Sequence, residues 1–197
     1  MEISASQVKA LREMTGAGMM DCKKALTDAG GNADEAVKIL RERGIAKAAT
    51  KSGRETSEGS IASYIHPGDK LGVLVEIACE TDFVARTDQF RQFTRDVAMH
   101  IAASAPVCVR REEIDPQLIE QERKIYRTQA LNEGKPEKIL DKIADGKIEK
   151  YFSEVVLMEQ PFVKDNDKTV DDYLKETIGS LGENIQIKRF ARFRLGE

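Results

Sequence analysis

Gly59 to Cys79 reads GSIASYIHPGDKLGVLVEIAC. Ile61, Ser63 and Ile65 alternate with Ala62, Tyr64 and His66, a period of two that belongs to a strand and not to a helix. His66-Pro67-Gly68-Asp69 then puts Pro and Gly at the central positions of a type II turn. Leu71 to Ala78 follows as a run rich in β-branched residues. The segment predicts a β-hairpin in a chain whose flanks read as helix.

Upstream, the apolar period is helical. Ser4-Ala5-Ser6-Gln7 has capping-box spacing, with Val8, Leu11 and Met14 at helical intervals behind it. Thr15-Gly16-Ala17-Gly18 interrupts that helix, since two glycines in three residues favour a turn. Met19, Met20, Cys22, Ala25, Leu26 and Ala29 form a second amphipathic run, stopped by Gly30-Gly31. Asn32-Ala33-Asp34-Glu35 caps a third, whose stripe is Ala36, Val37, Ile39 and Leu40 and which is expected to end before Gly44. Residues 1–45 therefore predict a three-helix bundle, a size more suited to a binding module than to an enzyme. Residues 46–58 read as a polar linker in which helix is permitted at the start. Lys47, Lys51 and Arg54 make it basic, which fits either a solvated face or contact with an acidic partner.

Downstream of the hairpin, Glu80 to Arg86 forms a polar loop, and Thr87 caps a helix with Phe90, Phe93, Val97 and Ile101 inward. Asp115-Pro116 starts another, running through Leu118, Ile125 and Tyr126 to Leu131. Pro136 opens a third with Ile139, Leu140, Ile143, Ile148, Tyr151, Phe152, Val155 and Val156 on its apolar side, where Gly146 offers a break. Gln160-Pro161-Phe162-Val163 ends it, Thr169-Val170-Asp171-Asp172 caps a last short helix, and Asn184 to Phe193 returns to strand chemistry. The predicted fold class is α+β: the bundle, then residues 59–197 as a core of helices packed on a small antiparallel sheet.

Composition narrows the chemistry. The 197 residues carry 31 Lys+Arg against 34 Asp+Glu, a net charge of −3, which argues against direct nucleic-acid binding. No apolar run approaches the roughly 20 residues that span a bilayer, and Met1-Glu2-Ile3-Ser4 lacks a secretory pattern, so a cytoplasmic protein without membrane association is expected. Cys22, Cys79 and Cys108 are scattered and make neither a disulfide framework nor a CxxC pair. His66 and His100 leave little for a metal site or a catalytic dyad. No metal, cofactor or catalytic residue is expected.

Two motifs invite enzyme readings. Thr15 to Lys24 (TGAGMMDCKK) invites a nucleotide-loop reading, but no Gly stands directly before the lysines, no Ser or Thr directly after them, and Asp21 stands where a dinucleotide fingerprint needs glycine. A thiol enzyme would need Cys79 or Cys108 beside an oriented histidine, and no local signature supplies one. Glu80 and Asp82 are a carboxylate pair of a kind common on surface loops. A short echo, Glu-x-x-Phe-Val, recurs at Glu80–Val84 and Glu159–Val163 and by itself carries nothing.

Leu11 to Leu26 (LREMTGAGMMDCKKAL) is similar to the N-terminal signature of bacterial elongation factor Ts, and Cys79 to Arg86 (CETDFVAR) to that family's core signature. Lys47-Ala48-Ala49 falls in the expected linker, and Gln160-Pro161-Phe162-Val163 with Gly182-Glu183-Asn184-Ile185 continues the resemblance along the whole chain. The resemblance implies a UBA-like N-terminal domain (1–45), a linker (46–58) and an α+β core of the dimerisation type (59–197). It implies a guanine nucleotide exchange factor for the translational GTPase EF-Tu, with no bond made or broken. Thr81, Asp82, Phe83 and Val84 would act at the GTPase's Mg²⁺ site and dislodge the ion, while Arg12, Met19 and Met20 would hold its nucleotide-binding domain.

Residue chemistry accommodates these roles and leaves others open. Phe83, between Asp82 and Arg86, either folds back to anchor its loop or meets a partner, and the resemblance selects the partner. Asp82 fits partner hydrogen bonding or capping, and Val84 fits the core as well as a contact. Met19 and Met20 are adjacent, so a helix cannot bury both equally. The length suits the short form of the family, which leaves no room for a second core half or for a helical insertion before the C-terminus. That form pairs two copies, which makes a homodimer through the C-terminal core a candidate, with Ile185, Ile187, Phe190 and Phe193 along the pairing strand. Ala191 stands where some short members have cysteine, which excludes a covalent link there. A binding adaptor for another protein and a thiol-dependent hydrolase are the rival classes.

Overall fold

The computed structural model describes residues 3–197. Eight helices and five strands follow in the order α1 (Ala5–Thr15), α2 (Met19–Asp28), α3 (Ala33–Ala49), β1 (Glu58–Ile65), β2 (Leu71–Cys79), α4 (Asp82–Ala85), α5 (Asp88–Ser104), α6 (Pro116–Asn132), α7 (Leu140–Val155), β3 (Pro161–Phe162), β4 (Asp165–Thr169), α8 (Val170–Leu181) and β5 (Ile185–Arg194). The fold class is α+β, as the alternation of periods required.

The predicted caps form. Ser4 Oγ accepts from the Gln7 N–H at 3.3 Å, and Gln7 Oε1 accepts from the Ser4 N–H at 3.0 Å, closing both halves of the box. Asn32 caps α3, accepting from the Glu35 N–H at 3.1 Å. Val8, Leu11, Cys22, Ala25, Leu26 and Ala36 pack as the centre of the bundle, while Met14, expected on the stripe of α1, is exposed. α3 corrects the reading that it stops before Gly44, since it continues to Ala49. The physical reason is packing: a Cβ on Gly179 of α8 would lie 2.7 Å from Gly44 Cα. Gly179 permits this approach, and Gly44, whose own Cβ would lie 3.9 Å from the nearest atoms of α8, is an interior helix residue and not a terminator.

The hairpin forms as read. Asp69 N–H donates to His66 O at 3.0 Å with Gly68 at φ +97°, the type II geometry that favours glycine. β2 is the central strand of a three-stranded sheet ordered β1-β2-β5. β3 and β4 form a separate antiparallel pair that the periodicity did not anticipate, because two-residue β3 is too short to show alternation. Thr87 Oγ1 caps α5 by accepting from the Phe90 N–H at 3.2 Å, and Phe90, Phe93, Val97 and Ile101 are buried.

The chain falls into two compact units. One comprises residues up to Ile61, Ile77–Thr94 and Asp172–Gln186, and the other Ala62–Glu76, Arg95–Asp171 and Ile187–Glu197. In the second unit, α6 and α7 form an antiparallel hairpin, its register marked by ion pairs Arg123–Asp145 (2.7 Å) and Arg127–Asp141 (3.2 Å). Both helices lie where the Asp115-Pro116 start and the apolar run after Pro136 place them. α7 is not divided at Gly146, which costs an exposed helix only about 1 kcal/mol relative to Ala. The same unit buries a polar knot. Val163 N–H donates to His100 Nδ1 at 3.2 Å, so Nε2 carries the proton and donates to Gln160 Oε1 at 2.9 Å. The Gln160 amide donates in turn to Ser104 O at 3.3 Å and Glu154 O at 2.6 Å. Burial holds the imidazole below its usual pKa. Among the described residues no helix is long and apolar enough to cross a membrane.

Candidate partner-binding site

The first unit contains Arg12, Met19, Met20 and Thr81–Val84. At the end of β2 the chain turns through Glu80 and Thr81 into α4, a single helical turn. Thr81 caps it, with the Val84 N–H donating to Thr81 Oγ1 at 3.4 Å and the Ala85 N–H to Thr81 O at 3.2 Å. Thr87 Oγ1 donates to Val84 O at 2.8 Å and closes the far end. A four-residue helix cannot stabilise itself, so these caps and its packing hold it.

Within the turn the side chains separate sharply. Val84 is 9% exposed and anchors the turn, whereas Phe83 is 81% exposed. Asp82 pairs with Arg86 at 2.9 Å on the surface. The echo at Phe162-Val163 has the opposite arrangement, Phe162 buried and Val163 exposed, so equal sequence here does not mean equal presentation.

Long-range hydrogen bonds hold the entry to the turn. The Glu183 carboxylate accepts from Thr81 Oγ1 at 2.6 Å and from the Thr81 N–H at 3.0 Å, across 102 residues of sequence. Next to it, Glu80 Oε1 accepts from the Asn184 N–H at 2.6 Å, and Arg54 approaches the same carboxylate at 3.4 Å. These partners, the Asn184 N–H foremost, hold the Glu80 carboxyl below its usual range. Asn184 Nδ2 donates to Arg54 O at 2.8 Å and Ser52 O at 3.4 Å, and Lys51 Nζ donates to Gly182 O. The basic stretch expected to be either solvated or partner-bound thus spends Lys51 and Arg54 inside the chain. Sequence reasoning missed Glu80, Glu183 and Asn184 as anchors. Glu80 lay in the Cys79–Arg86 signature and Glu183 and Asn184 in the Gly182–Ile185 run, and neither stretch has a local pattern that names its contact.

The bundle carries the other candidates. Arg12 is exposed on α1, and Met19 and Met20 open α2 at 44% and 75% exposure, so Met20 presents more of its thioether. The bundle docks within this unit through Ser180 Oγ, which donates to Gly16 O at 2.8 Å, and through Arg41 with Asp172 at 3.0 Å.

The thiols point away from covalent chemistry. Cys22, Cys79 and Cys108 are all buried. Burial and then the charge of Glu183 push the Cys79 thiol up to about 11, the reverse of an activated nucleophile. Among the described residues no group of three or more His, Cys, Asp or Glu is arranged to hold a metal ion.

The family described as Elongation factor TS matches residues 1–197. The chain belongs to the elongation factor Ts family. Elongation factor Ts of Alkaliphilus oremlandii is 60% identical over 197 residues, all of this chain and 91% of that protein. That of Geotalea uraniireducens is 57% identical over the same span and coverage. Elongation factor Ts of Desulfosudis oleivorans is 59% identical over 195 residues, 99% of this chain and 98% of its own length. Membership in the elongation factor Ts family makes this chain a translation elongation factor.

Proposed function

We propose that this member of the elongation factor Ts family promotes guanine nucleotide exchange on EF-Tu in the cytoplasm, with Thr81–Val84 working at the GTPase's Mg²⁺ and phosphate site. The observation that carries the reading is Phe83, a ring 81% exposed on a turn capped at both ends. Its exposure on a backbone held at both ends, within the Cys79–Arg86 signature, is what supports a role in partner contact. Thr81 and Val84 hold the turn, Asp82 orients its polar side and Phe83 enters the partner.

The action is a linkage. A P-loop GTPase binds its nucleotide through a backbone cradle, a lysine and a Mg²⁺. A wedge that shifts this geometry weakens GDP, and GDP must weaken the wedge by the same factor. GTP then rebinds and the factor leaves, with no covalent step. Residues 1–45, as a UBA-like module, grip the nucleotide-binding domain through Arg12, Met19 and Met20. The linker 46–58 ties that grip to the core formed by 59–197. Mixing the chain with EF-Tu loaded with fluorescent GDP tests this: release should accelerate at catalytic amounts of the chain. GDP retention equal to that of EF-Tu alone would end the proposal.

A homodimer through the C-terminal core is a second proposal. Its support is the exposed Ile65, Leu74 and Phe193 on the strands of the sheet, Phe193 at 68%. Ile185 and Ile187 are buried in the chain's own core and do not contribute. Light scattering during size exclusion should give twice the chain mass, and a monomer at micromolar concentration would dispose of it.

A further inference from the structure

We propose that Glu183 is a positioning residue for exchange: it locks Thr81 and thereby fixes the direction in which Phe83 leaves the α4 turn. The proposal rests on the exchange reading above and adds to it a residue that acts through Thr81. Three observations carry it. First, a single carboxylate accepts from both the backbone N–H and the side-chain hydroxyl of Thr81, at 3.0 and 2.6 Å. A fork of this kind fixes rotation of the Thr81 side chain as well as the position of its backbone. Second, the hydroxyl that donates to Glu183 is the same oxygen that accepts from the Val84 N–H. Its one proton is committed to Glu183, so a lone pair is left facing the turn, and the cap and the clamp are one chain of bonds. Third, Glu183 is itself held by its neighbours in the chain. Asn184 bonds to Glu80 through its N–H and to Ser52 and Arg54 through its side chain, and Lys51 Nζ bonds to Gly182 O.

Phe83 itself makes no such bond, since it stands out in solvent. A side chain 81% exposed takes its direction chiefly from the backbone beneath it, and that backbone is held at Thr81 and Val84. Without the clamp the Thr81 side chain would be held only by the 3.4 Å bond from the Val84 N–H, with Thr81 O still bonded to the Ala85 N–H and Cys79 Sγ. The turn would keep its cap, but the side chain would rotate more freely. The wedge would then be offered over a range of directions, and each encounter with the partner would have to select the productive one. A loss of this kind falls on the step in which the wedge acts more than on the initial grip by the bundle.

The test is a double-mutant cycle on stimulated GDP release, using Glu183→Ala, Phe83→Ala and the double variant at saturating factor. Glu183→Ala should lower the maximal release rate about tenfold, the scale of one charge-assisted hydrogen bond, while the concentration for half-maximal effect changes little. The double variant should release GDP no more slowly than Phe83→Ala alone, because Glu183 acts through Phe83. Glu183→Gln, which keeps one acceptor oxygen, should fall between wild type and Glu183→Ala, and it carries the cycle if the alanine variant fails to fold. Wild-type release by Glu183→Ala beside a crippled Phe83→Ala would overturn the clamp and leave the wedge standing. Losses that multiply in the double variant would also overturn it, since Glu183 would then act elsewhere. Wild-type release by Phe83→Ala would overturn the wedge and the clamp together.

Discussion

Replacing Phe83 by Ala separates folding from function in this chain, and the structure sets the size of each effect. The ring is 81% exposed, and neither the Thr81 cap nor the Thr87 bond to Val84 O uses it. Removing it should therefore leave stability within about 0.5 kcal/mol of wild type, as for other surface substitutions. Function should respond differently. Enclosing a Phe side chain in a partner is worth roughly 1.5–3 kcal/mol, and nearly all of that surface is still available here. A loss of about 2 kcal/mol in the exchange transition state is about 30-fold in rate. Stopped-flow release of fluorescent GDP from EF-Tu, at saturating factor, measures it directly, with a thermal melt as the control for folding. Phe83→Leu keeps much of the apolar surface and should retain most of the rate. Release by Phe83→Ala within twofold of wild type, at an unchanged melting temperature, would refute the wedge.

Other parts of the chain are open to test. Burial holds His100 below its ordinary 6.5, so the unfolded chain binds that proton more readily. Its contribution is complete above 6.5 and drains as the pH falls below it. The thermal midpoint should therefore decline from about pH 7 to about pH 5 in wild type and less steeply in His100→Gln, and parallel declines would count against the buried neutral imidazole. Gly179→Ala should destabilise by roughly 1–3 kcal/mol in urea, because its Cβ meets Gly44 Cα at 2.7 Å. Gly44→Ala should be tolerated, since its Cβ would lie 3.9 Å from the nearest atoms of α8. Cys79, with its thiol pushed up to about 11, should resist iodoacetamide in the native chain and react after unfolding. Cys79→Ser should keep full GDP release, and its loss would revive a thiol-dependent reading.

Much of the architecture was legible because it is written in near neighbours. The capping box at Ser4 and Gln7, the Thr87 cap, the Asp115-Pro116 start and the turn at Pro67-Gly68 all act within four residues, and each formed as read. Glycine was the ambiguous letter. At Gly68 it makes a turn, at Gly179 it lets another helix approach, and at Gly146 it merely sits at an exposed position of a helix. The residue alone does not say which, because the difference lies in what stands opposite it. The β3–β4 pair escaped notice for a related reason: a two-residue strand has no period, and its existence depends on the strand it pairs with.

By itself the sequence determined the order of the seven longer helices and of β1, β2 and β5, the hairpin, and the family signatures at Leu11–Leu26 and Cys79–Arg86, but not α4, β3 or β4. These rest on periodicity and on residue types at short fixed spacing. The tertiary structure alone decided which of two Glu-x-x-Phe-Val segments shows its ring, since Phe83 is exposed and Phe162 buried. It also decided that Glu183 would be the partner of Thr81. Both outcomes are set by surfaces and donors brought together from distant parts of the chain, and no local spacing encodes them.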